Sequence, residues 1–374
     1  MDVVSETDEN YNYHVNSQLK HYILQDYLSA WLPIMSSFAD SLMYVDCFAG
    51  QGTCQFDGAP SDGSPLVALR TINRFLHDSP ATVRRPTSIS VVLVELNRKA
   101  CAQLKNSVDQ LKRTEPLDPR INCTVLAGDA QSALLTVLGQ TPVSVPAFYF
   151  IDPNYRLPDM AVIRLLLARP MAEVFVNFMY YQVIRNMSNP KYHNDTALLL
   201  GDVSYQAHGF GAEAGGYSWE KVVEFYFQQS RATYYIPFRV RFGKDEYYRL
   251  RDVLKYVLIH LSNHFKAFDK MLTAMYSNSE SGSSLQVSMN EPTLFPTLEL
   301  DHLIELVKGQ YQRTGTVVSF DVLRKQNWRL YASEKMWRDC LKELKRQGIA
   351  VFHHVSSKTD RGITGNDQVE FIRG

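Results

Sequence analysis

From Ser17 onward apolar residues recur at three- and four-residue spacing (Leu19, Ile23, Tyr27, Leu28, Trp31, Leu32), which predicts an amphipathic helix to about residue 31, with Pro33 at its end or at a kink. The period then changes. Leu42-Met43-Tyr44-Val45-Asp46-Cys47-Phe48 is a strand-length, nearly continuous apolar run ending in Ala49-Gly50-Gln51-Gly52, residues that allow tight turning and close backbone approach. A polar loop over 57–63 follows, and Ser64-Pro65 then opens an apolar helical pattern, as an N-cap with proline in the first turn does. The alternation continues as strands over 89–95, 123–126, 147–151 and 172–178, separated by helices over 99–111, 132–138 and 160–167. Strands spaced by helices predict an α/β fold with a mostly parallel, doubly wound sheet.

Beyond this repeat the pattern loosens. Residues 188–230 read as an insertion, a Gly/Asn/Ser/His-rich loop leading into a helix around 219–227. Two strands (235–242 and 254–261) and a helix over 266–275 come next. The tract opening Ser277-Asn278-Ser279-Glu280-Ser281-Gly282 is a polar, low-complexity linker over 277–290. The tail has its own logic. Helices over 298–311, 320–324 and 333–346 precede two strands (349–353 and 368–372) flanking a long loop, the layout of a winged helix. The expected organisation is a disordered N-terminus over 1–14, an α/β domain over 15–276, the linker, and a winged-helix domain over 291–374.

Composition narrows the class. The 374 residues are 45% hydrophobic and carry 39 basic against 39 acidic side chains, so no global field draws the molecule onto a polyanion, and any such site is a local patch. No apolar run approaches the roughly 20 residues that span a bilayer. The acidic, polar start lacks the pattern of a secretory signal, so the expected location is the cytoplasm. The five cysteines are scattered without a CxxC pair, which argues against disulfides and structural zinc; no metal site is expected.

Candidate chemistry gathers at the predicted strand ends. Asp46 with Ala49, Gly50 and Gly52 forms a DxxAGxG turn, where a carboxylate repels pyrophosphate but suits an amine or sulfonium such as that of S-adenosylmethionine. Glu95 can accept both hydroxyls of a ribose, or cap the helix that follows. Asp129 can meet an adenine amine, or cap the next helix. Phe150-Ile151-Asp152-Pro153-Asn154-Tyr155 delivers an acid, a proline and an aromatic to the same edge. Asp152 and the Pro153 carbonyl can accept the two hydrogens of a planar amine while Tyr155 stacks on its ring. An Asp-Pro turn with a core tyrosine is the plainer alternative. In the tail, Lys335, Arg338, Lys342, Lys345 and Arg346 face Glu334, Asp339 and Glu343, a mild basic excess that suits either nucleic acid or an ordinary solvated helix.

Taken in order, Lys20-His21-x-Ile23-Leu24-x-x-Tyr27-Leu28-x-x-Trp31, Tyr44-Val45-Asp46-x-Phe48-Ala49-Gly50-x-Gly52, Gly63-Ser64-Pro65-Leu66-x-Ala68-Leu69 and Phe150-Ile151-Asp152-Pro153 resemble the three-Cys-motif partner (TcmP) family. The resemblance covers about residues 17–275 and runs on into the winged tail. It implies a Rossmann-like class I methyltransferase fold, S-adenosylmethionine as cofactor, and a companion protein whose three-cysteine motif is like that of radical S-adenosylmethionine enzymes. Where that family has Asp-Pro-Phe-Gly, this chain has Asp152-Pro153-Asn154-Tyr155, similar to the Asp-Pro-Pro-Tyr of adenine amino-methyltransferases, with Asn154 in place of the second proline. The expected function is methyl transfer to an exocyclic amine of a nucleic-acid base, adenine favoured. The rival is a non-catalytic adaptor that grips nucleic acid or the companion protein.

Overall fold

The computed structural model describes residues 12–13, 15–56, 59–153, 156–211, 216–241, 254–279, 298–312, 314–355 and 363–372. The chain divides into two compact units, Met1–Pro292 and Thr293–Gly374.

The first unit is built on a seven-stranded sheet: β1 (Ser41–Asp46), β2 (Ser88–Glu95), β3 (Ile121–Ala127), β4 (Ala147–Ile151), β5 (Ala172–Phe178), β6 (Tyr234–Arg241) and β7 (Leu254–Ser262). Their order is β3-β2-β1-β4-β5-β7-β6. β1 to β5 run parallel, whereas β7 lies antiparallel to both β5 and β6. This is a Rossmann-like sheet closed on one side by an antiparallel hairpin. Its central strands are apolar because both faces are covered: every residue of β4 and β5 is buried.

The connecting helices are α1 (Val15–Ser36), α2 (Ser64–Asp78), α3 (Arg98–Thr114), α4 (Ala130–Gln140), α5 (Met160–Leu167), α6 (Tyr180–Met187), α7 (His193–Leu200), α8 (Trp219–Ser230) and α9 (Phe265–Ser277). They pack in two groups, α1 against α2 and α9, and α5 against α4, α7 and α8. The expected bounds of β4, α5 and β5 coincide with the observed ones, and the described part of the insertion over 188–230 includes the α-helices α7 and α8.

Three local expectations are corrected. α1 does not stop at Pro33 but runs to Ser36, since Trp31, Leu32 and Met35 are buried and their packing outweighs the one helical hydrogen bond that proline removes. The polar segment after Gly52 is not a plain loop: Thr53–Phe56 and Ala59–Asp62 form a hairpin. Asn12–Tyr13, expected to be disordered, pair in parallel with Gln55 and Phe56.

Beneath α1 the sheet carries a buried polar cluster. Trp31 Nε1 donates to Glu173 Oε1 at 3.1 Å, the Tyr27 hydroxyl donates to Oε2, and His260 Nε2 meets Oε2 at 3.0 Å. Burial and the adjoining carboxylate push the Tyr27 hydroxyl far up.

The second unit has its own core around Leu303, Val307, Trp337, Cys340, Leu341, Leu344 and Phe371. It consists of α10 (Leu300–Tyr311), β8 (Val317–Ser319), α11 (Phe320–Gln326), α12 (Glu334–Arg346), β9 (Ala350–His353) and β10 (Gln368–Phe371), with β10 in the middle of an antiparallel sheet. Ser333 caps α12 and Gly348, at φ +70°, follows its end. Among the described residues no helix is long and apolar enough to cross a membrane. No group of His, Cys, Asp or Glu there has the arrangement of a metal site, and the five cysteines are free thiols.

Candidate active site

Register brings the singled-out strand ends to one edge of the sheet. Asp46 ends β1, Glu95 ends β2, Gly128-Asp129 follow β3, and Asp152-Pro153 follow β4. In a doubly wound sheet this carboxyl edge is where ligands bind.

The turn after β1 is stitched to its neighbours by backbone. Cys47 N donates to Phe150 O at 3.0 Å and Ala49 N to Val94 O at 2.9 Å. Gly50 N donates to Glu95 Oε2 at 2.9 Å. Gly50 and Gly52 have φ of +59° and +88°, which glycine adopts without strain. Gly52 has a second constraint, since an added Cβ would come within 2.9 Å of Ser107 Cβ, whereas at Gly50 it would meet nothing within 4 Å. The backbone at Gly50 therefore borders open space.

Asp46 lies under this turn, fully buried. Its Oδ2 accepts from Ser64 Oγ at 2.6 Å and its Oδ1 from Phe48 N at 3.2 Å. Burial pushes its carboxyl up to about 7 against the pull of those two hydrogen bonds, and the charges of Asp152 and Glu95 add to the rise. The residue thus organises the turn from below. Ser64 is not the N-cap of α2: Gly63 holds that position, and the serine hydroxyl is directed to Asp46.

Glu95 uses one oxygen on Gly50 N and the other on Asn97 N, at 2.7 Å, while Asn97 caps α3. Glu95 is therefore not the cap of α3. Asp129 is exposed and caps α4, accepting from Ser132 N at 2.9 Å and Ser132 Oγ at 3.1 Å.

Asp152 has partners that the sequence did not announce. Its Oδ2 is ion-paired with Lys20 Nζ at 2.5 Å, and its Oδ1 accepts from Asn177 Nδ2 at 2.7 Å. The Lys20 side chain is 7% exposed and that of Asp152 14%. Lys20 Nζ also lies 5.6 Å from the centre of the Tyr256 ring. Next to it His21 is pushed down to about 4 by burial and by the lysine charge, so at neutral pH the imidazole is uncharged and the cation facing Asp152 is Lys20. Among the described residues Asn177 Oδ1 is buried without a hydrogen-bond partner. Pro153 is buried; Asn154 and Tyr155 lie outside the described residues.

Lys20 stood in a motif block with no role assigned to it, and Asn177 lay unassigned within the predicted strand over 172–178. Each has a signal visible in retrospect. Lys20 falls three residues before Ile23 and seven before Tyr27, on the stripe that α1 buries, and Asn177 interrupts a strand that is otherwise apolar after Glu173.

On α12 the cations are engaged. Arg338 pairs with Glu334, Lys342 with Asp339 at 3.3 Å, and Arg346 with Glu343 at 2.6 Å. Lys345 Nζ sits 4.9 Å from the Phe352 ring, and Lys335 is exposed.

The chain matches no family model and no curated protein sequence. Among solved structures it is similar to protein LPL1258 from Legionella pneumophila, at TM-score 0.42 and 11% identity over 71% of this chain and 90% of that one. It is also similar to a SAM-dependent methyltransferase from Methanosarcina mazei (TM-score 0.27, 13% identity, 61% and 96% covered). A third likeness is to TYW2 from P. horikoshii in complex with MeSAdo (TM-score 0.27, 12% identity, 71% and 67% covered). These overlaps are loose, and the fold assignment rests on the strand order and register of this chain.

Proposed function

We propose that this chain is an S-adenosylmethionine-dependent methyltransferase acting on an exocyclic amine of a nucleic-acid base, with adenine favoured. The observation that carries this reading is the Asp152-Pro153 terminus of β4, its carboxylate fixed by Lys20 and Asn177, on the same edge as the Gly50 turn and Glu95. The donor set fits the cofactor. Two carboxylates, Glu95 and Asp129, stand at this edge besides the buried Asp46 and the Lys20-paired Asp152, a local charge that favours an ammonium or sulfonium and opposes pyrophosphate. Glu95 has acceptor capacity left on both oxygens for a ribose diol, and the bare backbone at Gly50 borders the space above the turn.

When bound, the cofactor supplies a methyl group already activated on its sulfonium. The protein's task is then alignment. Asp152 and the Pro153 carbonyl accept the two amine hydrogens and turn the nitrogen lone pair toward the methyl group, and Tyr155 is assigned the stacking role. Calorimetric titration of S-adenosylmethionine into wild type and Glu95→Ala tests the cofactor half. Micromolar binding lost at least tenfold in the variant supports it; no heat and no thermal shift in wild type would overturn it.

We read the second unit as a winged helix from its order of helix, strand, two helices and two strands. A specific observation favours a second reading of what this unit contacts. Arg338, Lys342 and Arg346 are each paired with a carboxylate of α12 itself, which leaves little positive field for phosphate and suits a protein partner such as the companion that the family resemblance implies. Gel shifts of the full chain and of Lys335→Glu with duplex and single-stranded probes decide between them: salt-dependent retention that the variant weakens supports nucleic acid on this unit, and retention that the variant leaves unchanged supports protein.

A further inference from the structure

The set around Asp152 has unfilled hydrogen-bonding capacity of both signs. An ammonium carries three donors, and Lys20 gives one to Asp152 Oδ2. Each Asp152 oxygen accepts one bond from the protein and can take another. Asn177 gives its Nδ2 to Asp152, which fixes the orientation of the amide and leaves Oδ1, in a residue that is 2% exposed, as an acceptor without a partner among the described residues. A buried acceptor left unpaired is a standing cost that an incoming N–H removes.

We infer that Lys20 is a specificity-determining residue that reads the ring nitrogen beside the target amine, so that the site takes adenine or cytosine and rejects guanine. This rests on the amine-methyltransferase reading above and goes beyond it. In adenine the amine lies beside N1, and in cytosine beside N3; both ring nitrogens are acceptors and suit a lysine donor next to the carboxylate that holds the amine. Guanine has a donor, N1–H, beside its amine on the pairing edge, and its acceptor N3 lies on the sugar side. An ammonium against N1–H sets donor against donor, with both left unpaired in a largely buried site. Lys20 also holds Asp152 in place, so the test must separate positioning from reading.

The experiment uses the full-length protein and single-stranded oligonucleotides, ribo and deoxy, whose uridine or thymidine background lacks exocyclic amines and carries one adenine, cytosine or guanine. Two readouts are taken: affinity by fluorescence anisotropy without cofactor, and transfer of labelled methyl with it. In wild type, adenine or cytosine probes are expected to bind and react at least tenfold better than guanine probes. In Lys20→Met, that preference over guanine should narrow to within about threefold, with cofactor affinity unchanged within twofold. A proportional loss on all bases in Lys20→Met, preference intact, would make Lys20 only a support for Asp152 and overturn the inference. Guanine used as well as adenine by wild type overturns it without any variant, so a poorly folding Lys20→Met does not shield it. Cofactor binding without transfer to any probe overturns the amine reading itself, a result distinguishable from transfer that is indifferent to the base.

Discussion

Two polar clusters sit on the same face of the sheet beneath the same helix, and they differ in how completely they are filled. Glu173 draws donors from Tyr27 and Trp31 of α1 and from His260 of β7, and the open atom in that set is the imidazole Nδ1. Asp152, at the carboxyl end of the neighbouring strand, is met by Lys20 and Asn177 but leaves lysine donors and an amide acceptor over. The Glu173 set, whose carboxylate oxygens are both taken by donors inside the fold, holds helix to sheet; the Asp152 set, with lysine donors left over at the ligand-binding edge, has room for a guest. Burial alone does not separate the two, because Lys20 and Asn177 are as hidden as much of the core.

The contrast can be broken most directly at Asp152. Asp152→Ala should lower methyl transfer about a thousandfold while cofactor affinity stays within about twofold, because alignment of the amine is lost and the cofactor turn is not. Loss of cofactor binding instead would move Asp152 into the other half of the site. Glu173→Ala should do the opposite, costing about 3 kcal/mol or more in urea unfolding by stranding three buried donors, with activity per folded molecule little changed.

A third test uses pH. Asp46 ionises in the folded chain at about 7 rather than near 4, so its ionisation opposes folding, and its contribution to stability falls as pH rises through that interval. His21, pushed down to about 4, has the reverse sign: its contribution is present above its unfolded value near 6.5 and is lost as pH falls from there toward 4. The two slopes oppose each other across the same window. Asp46→Asn should therefore show stability falling with acid more steeply than wild type, and His21→Asn stability rising with it; unfolding midpoints between pH 4 and 8 measure both. The smallest effect belongs to the exposed pairs of α12. Lys342→Gln or Arg346→Gln should leave the thermal unfolding midpoint essentially unchanged, since exposed ion pairs are screened by solvent.

The sheet was legible in the sequence where both of its faces are covered. β4, α5 and β5 are apolar runs bounded by polar residues, and there the expected bounds coincide with the observed ones. Legibility failed where a residue's role depends on a partner far along the chain. Ser64 has every local mark of a cap, yet its hydroxyl goes to Asp46, 18 residues back, and Lys20 meets its carboxylate 132 residues on. The hairpin after Gly52 was hidden by a composition of Gly, Pro, Ser and Asp that ordinarily marks loops. Asp129 was the easier case, because an Asx cap is completed within three residues.

The pairing of α1 with distant strands also bears on how the polypeptide is made. Asp26 of α1 accepts from Asn278 Nδ2 at 2.7 Å, a contact between residues 252 apart, and Tyr27 and Trp31 wait for Glu173 and His260. At roughly 5–20 residues per second, more than about ten seconds of synthesis separate α1 from α9. Throughout that interval the stripe of Ile23, Leu24, Tyr27 and Trp31 lacks part of its cover, so the order of synthesis leaves an apolar helix face waiting on the nascent chain for the partners that arrive last.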